Sequence, residues 1–369
     1  MTEISGAELT IDLGAVQANY RTLQSHLAGA ELAAVVKADA YGLGLGPVVR
    51  ALTETGCETF FVATAAEAVQ LRGSESDANI HVFNGPLPGE EAAFLEHALV
   101  PVLNSLEQVQ NWSAYCTGIG APGLADIQID TGMSRLGLEA GDVARLAGSP
   151  ELLQSITLDL ALSHLACADQ PDHAMNNEQL AAFEAGAGPI GAPRHSLASS
   201  SGIFLGTEYH FDMARAGAAL FGLNPVPGNP NPMRQVIRIQ GKILQVRSVD
   251  THRSVGYGAS HQATRPAKIA TVAIGYGDGY LRALSNAGTV FIDSHEVPVV
   301  GRVSMDLTTL DVTDVPDGLL ALGQPVDFAG PLNPVDRIAE QAGTIGYEIL
   351  TSLGTRYQRH YVGGEGNSA

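Results

Sequence analysis

Along roughly the first 225 residues, short apolar runs alternate with longer segments whose apolar residues recur at helical spacing. The runs at 32–36, 59–62, 80–83, 100–103, 126–129, 157–162 and 194–197 predict strands; the segments 15–27, 65–71, 91–98 and 178–185 predict helices between them. Strands that are apolar throughout, each followed by an amphipathic helix, belong to a parallel sheet covered on both faces. About eight such units in this length of chain make a (β/α)8 barrel, whose chemistry sits at the C-terminal ends of its strands.

The pattern then breaks. Asn224-Pro-Val-Pro-Gly-Asn-Pro-Asn-Pro232 packs four prolines among loop formers and reads as a domain junction. Beyond it come short alternating runs at 236–240, 242–246, 268–274, 289–292, 297–300, 307–312 and 325–328, separated by Gly and Pro turns. The expected class is therefore α/β, with an N-terminal TIM-like (β/α)8 barrel over 1–228 and a C-terminal mostly-β domain over 229–369. A strand near 7–12 is available to pack on the second domain.

Composition narrows the partners. With 45% hydrophobic and 16% charged residues the chain reads as an ordered globular protein. A formal charge of −19 repels a phosphate backbone, which argues against nucleic acid as a partner. The N-terminus lacks the basic start, apolar run and cleavage site of a secretory signal, and no stretch of about 18 apolar residues follows. Cys57, Cys116 and Cys167 are far apart and follow no metal-ligand spacing. A cytoplasmic protein without a membrane partner is expected.

Candidate chemistry begins with scarcity: there are three lysines, Lys37, Lys242 and Lys268, against seventeen arginines. Lys37 follows Leu32-Ala-Ala-Val-Val36 and precedes a polar, glycine-rich turn, which puts an amine at the mouth of a strand. Desolvation there lowers an amine's pKa and frees it as a nucleophile or Schiff-base former; the plainer reading is a lysine snorkelling to solvent. Arg135, in Asp130-Thr-Gly-Met-Ser-Arg-Leu-Gly137, could clamp a carboxylate or phenolic oxygen, or be a surface arginine. His164 closes another apolar strand, and Ser199-Ser-Ser-Gly202 offers hydroxyls and helix-start amides suited to a phosphate, or simply caps. Arg215 precedes small residues that admit a ligand close to the backbone. Tyr257 stands between two glycines, and the segments 275–280, 301–306 and 345–348 could each be turns. His164, Asp169, Asp172 and His173 match no standard ligand spacing, so no metal is expected.

Together these segments resemble the bacterial alanine racemase family, in the family's order and over nearly the whole chain. AVVKADAYGLG around Lys37 is the most specific piece, and DTGMSRLG, SHLACAD, MARAG, VGYGA, GYGDGY and GRVSMD follow in turn. The resemblance implies a barrel plus a β domain, and a homodimer whose active sites each borrow residues from the partner. It implies pyridoxal 5'-phosphate held by Lys37, which acts as one base, and Tyr257 of the other subunit as the second. Two bases suit racemisation, since a proton leaves one face of Cα and another arrives at the opposite face. Arg215 would face the pyridine nitrogen, where an arginine makes a weaker electron sink than an acid partner would. His164 would link Arg215 to Tyr257.

By the same resemblance Arg135 and the Met305 amide would bind the substrate carboxylate, while Tyr41, Ser200, Gly217, Ala218 and Tyr347 would bind the cofactor phosphate. Tyr276 and Asp306 would line the entry corridor. Four positions depart from the family pattern. Gln128 stands where many relatives carry a lysine bracing the active-site arginine, Ser199 and Gly346 where asparagine is common, and Gly256 where serine is. The expected reaction is interconversion of L- and D-alanine, for peptidoglycan precursors or for breakdown. The alternatives are a broader small-amino-acid racemase acting on serine and a non-catalytic pyridoxal-phosphate carrier. A barrel-type decarboxylase would need a cysteine in the second domain, and all three precede the junction.

Overall fold

The structure is a computed structural model that describes residues 6–74 and 77–364. It divides into two compact units: Val16–Arg234, and the described residues of Met1–Ala15 with Gln235–Ala369. The first described elements are β1 (Ala7–Asp12) and α1 (Leu13–His26). Asp12 Oδ1 accepts from the Ala15 amide at 2.9 Å, which satisfies one orphan donor and starts the helix two residues ahead of the predicted position.

The unit Val16–Arg234 is a nearly closed barrel of eight parallel strands: β2 (Glu31–Val35), β3 (Thr59–Val62), β4 (Asn79–Val82), β5 (Leu99–Leu103), β6 (Gly123–Gln128), β7 (Ile156–Leu162), β8 (Arg194–Ser196) and β9 (Met213–Ala216). The hydrogen-bonded order is β8-β7-β6-β5-β4-β3-β2-β9. Just beyond β8 the circle is bridged where Ser199 pairs with Arg215 and the Arg215 amide donates to Ala198 O at 3.0 Å. Strands β3, β5 and β9 are buried along their whole length, as expected for strands covered on both faces. Seven of the strands lie where the apolar runs predict them. The eighth, Met-Ala-Arg-Ala, has no alternation and no β-branched residue, so its extended form is set by pairing with β2, Ala33 opposite Arg215.

In the other unit the sheet runs β15-β14-β17-β10-β1-β18, with β13 joined to β10 and β16. Its strands are β10 (Ile237–Val249), β13 (Ala267–Val272), β14 (Thr289–Ile292), β15 (His295–Pro298), β16 (Thr308–Asp311), β17 (Pro325–Ala329) and β18 (Gln358–Val362), with the small hairpin β11 (Ser254–Val255) and β12 (His261–Gln262) beside them. β1 lies antiparallel to β10 and parallel to β18. The two predicted runs at 236–240 and 242–246 are one strand. Gly241 between them is no break: a Cβ there would stand 2.7 Å from Val272, so glycine lets β10 pack closely against its neighbour.

Among the described residues no helix is long and apolar enough to cross a membrane.

Candidate active site

Lys37 follows the end of β2 after one intervening residue, Val36, and is half-buried, its Nζ 5.8 Å from the centroid of the Phe83 ring. The short element α2 (Lys37–Gly42) is unusual: Ala38, Asp39, Ala40 and Tyr41 all have φ between 53° and 57°. Four consecutive left-handed residues with side chains are strained, at about 1–2 kcal/mol each, and persist only when the surroundings hold them. Asp39 Oδ1 accepts from the Leu45 amide at 2.7 Å, and Asp39 O from Gly44 N at 2.9 Å, which joins the turn to α3 (Leu45–Thr53). The turn carries Tyr41 inward, buried and 4.7 Å from the Phe221 ring.

Tyr41 meets the residues that follow β9. A Cβ on Gly217 would stand 2.4 Å from the Tyr41 hydroxyl, so this position needs glycine. Buried Ser200 accepts from the amides of Gly217 at 3.0 Å and Ala219 at 3.3 Å. With both bonds directed at its oxygen, the Ser200 proton is left to donate to an incoming anion. Tyr41, Ser200, Gly217 and Ala218 thus form one cradle of hydroxyls and backbone at strand ends.

Arg215, third residue of β9, is buried; it donates to the Ser196 hydroxyl and to Ser163 O at 2.5 Å. These two bonds tie the guanidinium to Ser196 in β8 and to Ser163, the residue between the end of β7 and His164. Burial lowers Arg215 to about 10, opposed by Asp126, so it remains a cation at neutral pH. His164 is driven down to about 3, by burial first and then by Arg215, Arg135 and Lys37. Lys37 is also lowered, by burial and then Arg135, with Glu67 opposing.

Arg135 is exposed on a loop closed by Ile129 bridging to Leu138 and by Asp130 Oδ1, which accepts from Gly132 N and Ser134 N. Gln128 Nε2 donates to Leu136 O at 3.2 Å, so its amide braces the backbone of this loop. The barrel mouth therefore gathers an amine, two guanidiniums and an imidazole held neutral by burial and by the cations around it. This donor set, with the hydroxyl cradle beside it, suits a small anionic cofactor bearing a phosphate and an aldehyde for the lysine.

The remaining predicted residues lie in the other unit. Tyr257 is 72% exposed on a short turn, and Tyr276, Met305 and Tyr347 are exposed as well. The segments carrying three of the predicted residues interlock: Tyr276 N donates to Ser304 O at 3.0 Å and Gly277 N to Met305 O at 2.8 Å. Arg356, absent from the sequence reading, pairs with Asp306 at 2.6 Å and with both oxygens of Asp278 at 2.9 Å. Sequence reading also missed a buried pair under the barrel mouth, His81 Nδ1 with Asp126 Oδ2 at 2.6 Å. Asp159 lies near this pair but is held by Arg194 at 2.6 Å. These three groups could together face a metal ion, yet each already has a protein partner.

Residues 11–225 match the family model for the alanine racemase N-terminal domain, and residues 236–361 that for the C-terminal domain. An alanine racemase of Rhodospirillum rubrum is 49% identical over 97% of this chain and 96% of its own length. A catabolic alanine racemase of Mesorhizobium japonicum is 46% identical over 98% and 94%. Among solved structures, alanine racemase from Bartonella henselae with covalently bound pyridoxal phosphate superposes with a TM-score of 0.94 at 40% identity, covering 97% of this chain and all of that one. The biosynthetic enzyme of Pseudomonas aeruginosa gives 0.91 at 31%, over 98% of this chain and 100% of its own. With both domains matched in order and identity near one half along the whole length, this chain belongs to the alanine racemase family.

Proposed function

We propose that this chain interconverts L- and D-alanine by two bases, Lys37 on one face of the substrate and Tyr257 of a partner subunit on the other. Family membership supplies the reaction and the cofactor, pyridoxal 5'-phosphate. The observation that carries the residue assignment is the convergence, at one barrel mouth, of a half-buried lysine with lowered pKa and the Tyr41–Ser200–Gly217 cradle.

Bound at Lys37, the cofactor withdraws electrons from the substrate's Cα. The protein does the rest. Tyr41, Ser200, Gly217 and Ala218 hold the phosphate, with Tyr347 joining from the partner. Arg215, which stays a cation, would be the residue facing the pyridine nitrogen, and as a group that keeps its proton it would leave the electron sink modest. Arg135 and, from the partner subunit, the Met305 amide hold the substrate carboxylate. Lys37, its pKa lowered by burial and Arg135, accepts or returns a proton on its face of the substrate. Tyr257 stands exposed in the lone chain, as a residue completing another subunit's site would. Tyr276 and Asp306 line the approach, the latter fixed by Arg356. The enzyme is read as a cytoplasmic homodimer.

The test is incubation of cofactor-loaded protein with L-alanine in deuterated water, following D-alanine and deuterium at Cα, beside Lys37→Ala and Tyr257→Phe. Native protein is expected to racemise with exchange, and Tyr257→Phe to keep the cofactor while losing racemisation by at least a hundredfold. Retention of racemisation by Tyr257→Phe would remove the second base from this scheme.

A further inference from the structure

We propose that Glu67 is a positioning residue for Lys37, a single carboxylate that fastens the left-handed turn carrying the lysine to the loop leaving the neighbouring strand. Glu67 lies in the first turn of α4 (Ala65–Ser74), which follows β3, the strand next to β2. Its Oε1 accepts from the Ala38 amide at 2.8 Å. Its Oε2 accepts from Ala63 N at 2.8 Å and Thr64 N at 3.3 Å. One side chain thus takes three backbone donors from the ends of two adjacent strands.

The bond to Ala38 falls where it has most effect. Ala38 is the residue after Lys37 and the first of the four left-handed residues. A strained turn of this kind relaxes unless it is over-determined. Asp39 anchors its far end to α3, and the Glu67 carboxylate anchors its near end, one peptide from the lysine. An ionised acceptor strengthens each bond to roughly twice that of a neutral one. Arg135 and Glu67 are the two charged groups acting on the amine, with opposite signs. Glu67 therefore also supplies the negative charge that keeps Lys37 from being depressed further.

The competing account is that Glu67 only caps its own helix. Thr64-Ala-Ala-Glu67 is a capping box, with Glu67 N donating to Thr64 Oγ1 at 3.3 Å while Oε2 accepts from Thr64 N. That role uses Oε2 and leaves Oε1 for Ala38. The two roles separate by mutation, because Thr64→Ala removes the capping hydroxyl and leaves the carboxylate on Ala38.

The inference rests on Lys37 being the cofactor lysine. The experiment follows covalent uptake of pyridoxal phosphate by apoprotein, read by visible absorbance, as a function of pH in wild type, Thr64→Ala, Glu67→Gln, Glu67→Ala and Lys37→Ala. Uptake needs the free amine, so it falls on the acid side. Thr64→Ala is expected to superpose on wild type. Glu67→Gln, isosteric and neutral, is expected to move the acid limb to lower pH, because the charge favouring the protonated amine is gone. Glu67→Ala is expected to lower the alkaline plateau at least tenfold. If Glu67→Gln superposes on Thr64→Ala in both limb and plateau, Glu67 is a helix cap and nothing more; this variant decides even if Glu67→Ala fails to fold. Covalent uptake by Lys37→Ala would instead overturn the choice of lysine and leave the Glu67 result to be read separately.

Discussion

His164 shows how the mouth's charge reaches a single side chain. Its folded-state pKa of about 3 lies well below the value near 6.5 of an unfolded chain. Above pH 6.5 both states are neutral at this site and it makes no pH-dependent contribution. As pH falls from 6.5 towards 3 the unfolded chain takes up a proton that the folded one refuses, so stability is lost on acidification. Apoprotein should therefore lose urea resistance between pH 7 and pH 5 faster than His164→Gln apoprotein does; parallel curves would mean that the imidazole titrates normally. Asp126 is the second case. It is wholly buried, raised by desolvation against the pull of His81, and its Oδ1 has no hydrogen-bond partner. Asp126→Ala should cost about 3–5 kcal/mol in urea unfolding, the range for breaking a buried ionic pair. A loss of only about 1–3 kcal/mol would show the pair to be held as neutral groups. Lys37 and His164 stood out in the sequence because each is a polar residue closing an apolar run, Arg135 because it sits in the turn that follows one, and Arg215 because small residues come after it. Glu67, Asp126 and Ser196 were not, since a capping-box acid and residues inside strands look structural until the fold puts them beside the others.

Elements were legible where pattern decides them and obscure where pairing does. The seven predicted barrel strands carry their own apolar signal, whereas β9 takes its form from β2, and β18, Gln-Arg-His-Tyr-Val, from lying parallel to β1. The turn after Lys37 was readable as polar and glycine-rich, but its left-handed sense was not, because alanine carries no local preference for it. That conformation makes opposite predictions for two substitutions at exposed Ala38. Ala38→Gly removes the Cβ penalty of about 1–2 kcal/mol at the cost of about 0.5–1 kcal/mol in chain entropy, for a net gain of at most about 1.5 kcal/mol. Ala38→Val puts a β-branched side chain at φ 53° and should lose about 2 kcal/mol or more. Unfolding midpoints measure both, and equal losses in the two variants would argue against a left-handed turn at this position.

At the scale of the whole molecule, the chain folds as two units, and the residues assigned to one reaction are divided between them: Lys37, Arg135 and Arg215 in the barrel, Tyr257, Met305 and Tyr347 in the β unit. The last three are all exposed in the single chain. If the partner subunit completes each site, a dimer holds two sites, each with Lys37 from one chain and Tyr257 from the other. Lys37→Ala and Tyr257→Phe are then inactive as separate preparations. Unfolded together and refolded as an equal mixture, they form mixed dimers in which one site has lost both bases and the other has both intact. Random pairing makes about half the dimers mixed, each with one working site of two, so the mixture should recover about one quarter of wild-type racemisation. A site built within one chain predicts no recovery at any mixing ratio. The recovered fraction thus tests the sharing of the site directly, and its fall on dilution would report the strength of the association.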